Sequence, residues 1–572
     1  MEHDTLNWLS LADKFAADGD PNGMRACARE LWDMDAESMD GAAVMAEAAL
    51  YSGEYEEART LVEEILKKKP NHLRGLLVCA GLAAVEFRLD EEIPVLRDLI
   101  GKLEAKWAPL DPDDAYYSVL LHLLRKARGW LADALYLGAE PEQSAEQLLA
   151  HSALAETAAE QASSYSKYLF MRNYREQSLT ASRMAAERYA AFWDVVPYSH
   201  EQTVKLPDKK LRIGYLSPDF REHAVASFLA PLLKHFDGSH FVVYCYATGR
   251  RDAVTKRLQS GAVNWRDLRG RSPRTAARLI AEDHIDILVD LSGHTQDSCL
   301  PIMLYRPAPV QMSGLGYMNT TGAPAIDYFL SDETCLPSGD GAAAGFTEQI
   351  IRLPHSHLCY APGAVREMPA PGFEAPCLAR GYVTFGSFNN FAKVTDETLL
   401  LWRGILDQVH GSRLVIKGKI CSIPSGIELV HERLRRLSFD PARVELRPYS
   451  PDYLEQYRDI DIALDAMPYN GGLTTCEALY MGVPVVSIRG RSHGSRFGAS
   501  ILTNAGVREL LAENDINYVR RAVQLGNSPE LIGAYHSGLR GNLLKSPLMD
   551  AANYMRELES AYRQTWRNFC TI

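Results

Sequence analysis

No two cysteines of this chain stand at Cys-x-x-Cys spacing, and its ten cysteines are scattered over 572 residues without a regular interval. Neither a disulfide framework nor a zinc site is indicated, and a reduced, cytoplasmic protein is expected. Extended apolar stretches are missing as well. The longest, Gly75–Val85, falls far short of the roughly 20 residues that span a bilayer, so no membrane insertion is expected. The first residues, "MEHDTLNWLSLADKF", are acidic and lack the apolar segment of a secretory signal. An excess of basic charge is absent too. The formal net charge is −12, which argues against nucleic acid as the main partner. No GxxxxGK[ST] loop occurs, which excludes a P-loop nucleotide site. No GxGxxG follows the first strand-like run of either α/β segment, which disfavours a dinucleotide-dependent dehydrogenase. An Asp-x-Asp pair after a crevice strand, the usual holder of a Mg²⁺-diphosphate, is not evident either.

The remaining composition is that of a globular protein, 47% hydrophobic and 23% charged, and its length asks for two to four domains. The first two hundred residues are nearly free of strand patterns and carry a repeat. Gly19 and Gly53 are 34 residues apart, as are Leu31, Ile65 and Leu99 in succession. The middle copy, "AAVMAEAALYSGEYEEARTLVEEILKKKP", has the Gly-x-Tyr-x-x-Ala turn and closing proline of a tetratricopeptide repeat. Such helix pairs bury their apolar faces only by stacking, which leaves a groove suited to a polypeptide, although a plain helical spacer satisfies the same pattern. Residues 1–110 are read as these repeats. Residues 111–205 continue as helix, with "AYYSVLLHLLRKARGWLADALYL" showing the i, i+3, i+4, i+7 pattern.

From Leu211 short β-branched and aromatic runs ("LRIGYLS", "FVVYCYA", "IDILVDLSG", "VQMSGLG") alternate with helical stretches, the grammar of βαβ units on a parallel sheet. After a linker with four prolines the grammar repeats in "YVTFGSF", "SRLVIKG", "RVELRPY", "IDIALDAM" and "VPVVSIRG". The expected fold is therefore α/β, with halves at 206–372 and 378–572, and ligands are expected at the carboxyl ends of the strands. In the second half those ends carry Asn389, Asn390 and Lys393, then "PYNGGLTT" with Gly471, Gly472, Thr474 and Thr475. Glycines and hydroxyls at a helix mouth, with a lysine at a neighbouring strand end, describe a diphosphate site. Taken alone, the stretch is equally an ordinary capped helix. In the first half, His223 and His294 follow two strand-like runs, where each is either a crevice residue or a structural histidine.

The stretches "LRIGYLSPDFREHAV", "IDILVDLSGHT", "RPAPVQMSGLGYMNTTGAPAIDY", "VTFGSFNNFAKVTDETL" and "LDAMPYNGGLTTCEALYMGVPVVS", in this order, resemble the catalytic region of the O-GlcNAc transferase family, within it the SPINDLY-like bacterial branch. The resemblance runs from about Leu211 to Trp566. It implies a GT-B glycosyltransferase of two Rossmann-like domains, preceded by an all-α tetratricopeptide-like domain and closed by a C-terminal helix. It implies a nucleotide sugar as co-substrate, no metal or other cofactor, and a protein Ser or Thr as acceptor reached through the repeat groove. By the same resemblance Lys393 contacts the diphosphate, and Gly471, Gly472, Thr474 and Thr475 lie in the phosphate loop. Glu477 contacts the ribose, Tyr453 lies near the nucleotide, and Asn389 and Asn390 face the donor. His223 is the active-site histidine, and Gly316 and Tyr317 lie where donor and acceptor meet, with His294 in the same crevice.

Leu473 and Tyr453 depart from the pattern, where relatives carry Thr and His. Both bear on the nucleotide. GlcNAc transfer from UDP-GlcNAc is expected first and fucosyl transfer from GDP-fucose second, with Asn-directed transfer as a further variant. A tetratricopeptide scaffold whose catalytic half has decayed is the reading from a different class. Inversion at the sugar carbon is expected on family grounds, and His223, His294 or a water relay are the candidates for the base.

Overall fold

The computed structural model describes residues 2–259, 261, 263–372 and 374–571, with side chains from residue 4 onward. Residue 373 of the proline-rich linker and the terminal residues 1 and 572 lie outside the described residues. The chain divides into two compact units, Met1–Tyr168 with Ile420–Glu432, and Leu169–Lys419 with Arg433–Ile572.

The first unit is helical. Helices begin at Pro21, Tyr55 and Leu89, and their partners at Met39 and Leu73, so the interval read from the sequence is the interval of the helix pairs. Gly53 ends the Met39–Ser52 helix in the left-handed region at φ 79°, which a Cβ would oppose. The core between successive pairs is leucine-rich: Leu77, Leu96, Leu99, Leu103, Leu120 and Leu124 are all but inaccessible. The segment 420–432, drawn from the second half of the chain, belongs to this unit. Its Ile423 packs with Leu89 and Ala134, and the Ser425 hydroxyl donates to the Phe87 carbonyl over 2.8 Å. A cavity of about 660 Å³ opens among the helices, lined by Asp40, Lys69, His72, Arg74, Lys106 and Tyr116 among others. Arg74, 3% exposed, is held there by the carboxylates of Asp13 and Glu47.

The second unit contains two parallel sheets. The first has β1 Leu211–Ser217, β2 Phe241–Ala247, β3 Asn264–Asp267, β4 Ile287–Asp290, β5 Val310–Ser313, β6 Tyr328–Asp332 and β7 Gln349–Leu353, in the order β3-β2-β1-β4-β5-β6-β7. The second has β8 Thr384–Ser387, β9 Arg413–Gly418, β10 Val444–Pro448, β11 Ile462–Leu464, β12 Val485–Ile488 and β13 Leu511–Ala512, in the order β10-β9-β8-β11-β12-β13. The short apolar runs located β1 and β2 to the residue. The run read as a strand over Ile460–Met467 pairs only over β11, because at Asp465 the chain turns away from the sheet. Strands β3, β6, β7 and β13 are not among the runs read from the sequence. "NWRD" is polar and half-exposed, and "LA" is too short for a period.

Both sheets reverse direction of winding in the middle, between β1 and β4 and between β8 and β11. Successive crossovers depart to opposite sides at that point, which leaves a crevice beyond the strand ends. The last helix, Ala551–Thr571, returns to the first sheet. The Tyr562 and Tyr215 hydroxyls meet at 3.3 Å, and the Trp566 indole donates to the Leu206 carbonyl over 2.9 Å. Among the described residues no helix is long and apolar enough to cross a membrane, and none of the ten cysteines is in a disulfide.

Candidate active site

Every donor-side residue picked from the sequence is brought to the β8/β11 reversal. β8 ends at Ser387 and leads into Asn389, Asn390 and a single 3₁₀ turn, Phe391–Lys393, capped by the Asn390 side chain. β11 ends at Leu464 and leads through Asp465 into Asn470, Gly471 and Gly472, after which the helix Leu473–Tyr480 begins. No side chain caps it. The N–H groups of its first turn have no carbonyl one turn back, and they carry the positive end of the helix dipole.

Lys393 crosses from one strand end to the other. Its ammonium donates to the Asn470 carbonyl over 3.0 Å and lies 3.6 Å from the centre of the Tyr469 ring. Burial pushes its pKa down, and the Asp465 carboxylate opposes that shift. Asp465, which the sequence did not single out, is fully buried and shapes the loop. It accepts the N–H groups of Ala466 and Gly471 and the Ser487 hydroxyl, at 2.9, 2.8 and 2.6 Å. The two threonines divide their work. Thr474 donates to the Asn389 side chain over 2.9 Å, and Thr475, 3% exposed, returns its hydroxyl proton to the Gly471 carbonyl over 3.0 Å. Both hydroxyls thus brace the loop.

Glu477 lies one turn further along the helix and is almost wholly buried. Burial raises its carboxyl to about 7, against the hydrogen bond from Tyr453 and the charge of Arg366. The Tyr453 hydroxyl donates to it over 2.5 Å, and the Arg366 guanidinium covers the Tyr453 ring at 4.9 Å. Arg366 and Tyr469 carried no sequence signal, since a lone arginine or tyrosine in a loop is unremarkable until its neighbours are known.

From the first half, His223 faces this group. A cavity of about 70 Å³ is lined by Glu222, His223, Tyr360 and Arg366 on one side and by Leu473 and Glu477 on the other. The His223 Nδ1 lies 3.4 Å from the Asp219 carboxylate and equally far from the Val225 N–H, and burial lowers its pKa against the pull of Asp219. The other crevice residues are placed differently. His294 is 1% exposed, its Nε2 is bonded to the Thr321 carbonyl at 2.8 Å, and it packs against the rings of Tyr189 and Tyr317. Burial holds its pKa at about 4, so it serves as a core histidine, and its place in the crevice is corrected accordingly. Tyr317 is 3% exposed and sits in an apolar cluster with Met318, Cys335 and Phe497. Gly316 is required by packing, because a Cβ there would stand 1.9 Å from the Leu291 carbonyl oxygen.

Two doubly wound sheets in one unit, with a cation and a helix mouth at the strand ends of the second and a histidine at those of the first, define the GT-B class. The chain belongs to glycosyl transferase family 41, whose family model matches residues 180–367 and 375–558. Over 386 residues it is 41% identical to a probable UDP-N-acetylglucosamine–peptide N-acetylglucosaminyltransferase SPINDLY of Petunia hybrida, covering 65% of this chain and 40% of that protein. The SPINDLY protein of Arabidopsis thaliana is 38% identical over 382 residues, covering 65% of this chain and 41% of that protein. The chain thus spans about two-fifths of the length of these curated relatives. Among solved structures, a mutant O-GlcNAc transferase of Thermobaculum terrenum superposes with a TM-score of 0.76 at 28% identity, covering 94% of this chain and 99% of that one.

Two outcomes follow from this geometry. A Cβ at Gly471 would meet Thr474 Oγ1, Thr475 Oγ1 and Asn389 Oδ1 at 2.5–2.9 Å, whereas at Gly472 the nearest atom is 3.8 Å away. Gly471→Ala should therefore displace the loop at a cost of about 1–3 kcal/mol and abolish most nucleotide binding, while Gly472→Ala keeps it. Calorimetric titration of both variants with the same nucleotide checks this, and equal affinities would show that the loop does not touch the ligand. The second outcome concerns pH. If the Glu477 carboxylate accepts ribose hydroxyls, a nucleotide sugar should bind more tightly as pH rises through about 7, since the carboxyl is protonated below that value. The gain from pH 6 to pH 8 should be about tenfold and should vanish in Glu477→Gln.

Proposed function

We propose that the protein is an inverting glycosyltransferase that moves GlcNAc from UDP-GlcNAc to Ser or Thr hydroxyls of a polypeptide, without a metal ion in the donor site. The observation that carries this reading is that Leu473 and Glu477, on the helix opened by the Asn470–Gly472 loop, line a small cavity with His223, while Lys393 donates to the Asn470 carbonyl of that loop. The similarity to SPINDLY N-acetylglucosaminyltransferases and to an O-GlcNAc transferase supports the choice of donor and acceptor class.

In this mechanism the nucleotide's ribose rests on Glu477 and its diphosphate on the mouth of the Leu473–Tyr480 helix. The acceptor hydroxyl attacks the sugar carbon, the carbon–oxygen bond to the diphosphate breaks, and the electron pair leaves with the diphosphate. Negative charge therefore grows where the Lys393 ammonium and the first-turn N–H groups already point. A preorganised cation of this kind takes the part that Mg²⁺ plays in other transferases. The diphosphate also relieves the desolvation of Lys393, because it returns an opposite charge to a buried ammonium. His223, beside Asp219, is the group in the first half that accepts the hydroxyl proton. The helical repeats supply the polypeptide's docking surface; in their cavity Arg74 is already paired with Asp13 and Glu47, which leaves Lys69 and Lys106, beside Asp40 and Asp114, to meet an acidic side chain of the acceptor. The domain limits near residues 110, 205 and 372–378, and a cytoplasmic setting, are part of the same proposal.

The reading is tested by incubating the protein with a peptide library and either UDP-GlcNAc or GDP-fucose, with neither Mg²⁺ nor Mn²⁺ added. Mass gain from UDP-GlcNAc, unchanged by adding either cation, is the expected result. Transfer from GDP-fucose alone would reassign the donor, and no turnover of either would favour a scaffold. Lys393→Ala should lower kcat by at least ~10²-fold, about 3 kcal/mol, with a smaller change in donor affinity, because the charge it answers develops during the reaction. A folded Lys393→Ala protein with unchanged kcat would remove the mechanism. In the repeats, replacing Lys69 and Lys106 together by Glu should raise KM for acidic peptide acceptors and leave the KM for UDP-GlcNAc unchanged. An unaltered peptide KM would place acceptor docking elsewhere.

A further inference from the structure

Behind the phosphate loop, three side chains from separate segments turn their donor atoms toward one point. Cys335 follows β6, His357 follows β7, and His493 lies in the loop after β12. The Cys335 Sγ and one ring nitrogen of each histidine fall within 4.8 Å of one another, the residues are 0, 1 and 2% exposed, and the thiol meanwhile donates to the Arg496 carbonyl over 3.4 Å. One nitrogen of each histidine is already engaged. His357 Nδ1 donates to the Asp332 carboxylate. His493 Nδ1 lies 3.2 Å from the Met318 carbonyl oxygen, which accepts only, so this nitrogen also donates. The other nitrogen of each ring, Nε2, is buried without a hydrogen-bond partner. Two buried polar atoms left without a partner in one place are costly unless something fills the gap between them. The rings of Phe329, Phe346 and Phe497 around His493 offer no donor.

We infer that Cys335, His357 and His493 form a zinc site that ties the two Rossmann-like halves together. One thiolate and two imidazoles are a donor set that zinc accepts, with water at the fourth corner. The arrangement already has the outer groups that such sites use, a carboxylate on the far nitrogen of one histidine and a backbone carbonyl on that of the other. Asp332 is itself fixed by the N–H groups of Thr334, Cys335 and His357 and by the Ser500 hydroxyl. Charge balances as well. Cys335 releases its thiol proton on binding, and the thiolate and the Asp332 carboxylate together offset the two charges of the ion. Zinc–ligand bond lengths put tetrahedral donors roughly 3.5 Å apart, so the three side chains close in by about 1 Å. Sequence spacing gave no hint of the site, because its donors meet only when the two halves face each other.

The site would hold the loop that carries the catalytic cradle. Cys335 and His357 belong to the first half and His493 to the second. One residue after His493, the Gly494 carbonyl accepts the Asn470 N–H over 3.3 Å. The ion is thus a pin between the halves, set beneath the phosphate loop and separate from the reacting atoms.

The experiment measures metal, independently of turnover. The full chain, produced with zinc in the medium and dialysed without chelator, should retain one zinc per chain by elemental mass spectrometry. The apo protein refilled with Co²⁺ should show a sulfur-to-cobalt charge-transfer band and the visible bands of a tetrahedral ion. Cys335→Ser should lose the charge-transfer band, and His493→Ala should lose the stoichiometric zinc. Wild-type protein that is folded but retains no zinc and shows no sulfur-to-cobalt band overturns the site, whether or not the variants fold. Full zinc retention in both variants overturns it too, by placing the ion elsewhere. Neither result bears on donor turnover, so the site and the transferase reading stand or fall apart.

Discussion

The Asp465 carboxylate lies at the end of β11, where the second sheet reverses, and four elements of the site are built against it. It takes the N–H groups of Ala466 and Gly471 and the hydroxyl of Ser487 from β12. Gly498, on the next helix, approaches so closely that a Cβ would stand 2.9 Å from the carboxylate and 2.0 Å from the Ser487 hydroxyl. A buried carboxylate is costly unless donors surround it, and these donors are what the departing loop has to offer. The loop is therefore pinned by its first N–H groups, and those of the following helix turn are left to face the crevice. Lys393 completes the arrangement, since its charge opposes the burial that raises the Asp465 pKa.

The first sheet repeats this device at its own reversal. Asp290, at the end of β4, accepts the Ser292 and Gly293 N–H groups and the hydroxyls of Ser292 and Ser313. Two sheets of like winding thus end in like clamps, but they present different chemistry. The second half offers fixed positive charge and a helix mouth, suited to a phosphorylated leaving group. The first offers a histidine beside a carboxylate, suited to a proton. A glycosyl transfer needs both at once, and the crevice between two such sheets is where a single chain can supply them.

Much of the candidate site was legible because its residues stand directly after strands that short apolar runs reveal. Asn389, Lys393, Gly471 and Thr474 were singled out in this way, whereas Glu477, inside the helix, was singled out only by the family resemblance. The strand-end rule misplaced His294. It also follows a strand, but the next segment folds over it and leaves it among Tyr189, Tyr317 and the Thr321 carbonyl. Position after a strand says that a residue is near the crevice edge, not which way its side chain turns. Thr475 illustrates the point more finely, for its hydroxyl turns back to the Gly471 carbonyl.

What the sequence alone determined is periodic or local. The 34-residue interval of the helix pairs, the apolar runs of β1 and β2, and the glycines that a tight loop demands are properties of short stretches of backbone, and neighbouring residues suffice to express them. Only the tertiary structure decided that Lys393 reaches the Asn470 carbonyl, that Tyr453 shares a proton with Glu477, and that Cys335, His357 and His493 meet. It also decided that segment 420–432 packs in the helical unit. Each of these joins residues from different strand ends or different halves. Their meeting is set by crossovers and sheet order, which no local pattern of side chains encodes.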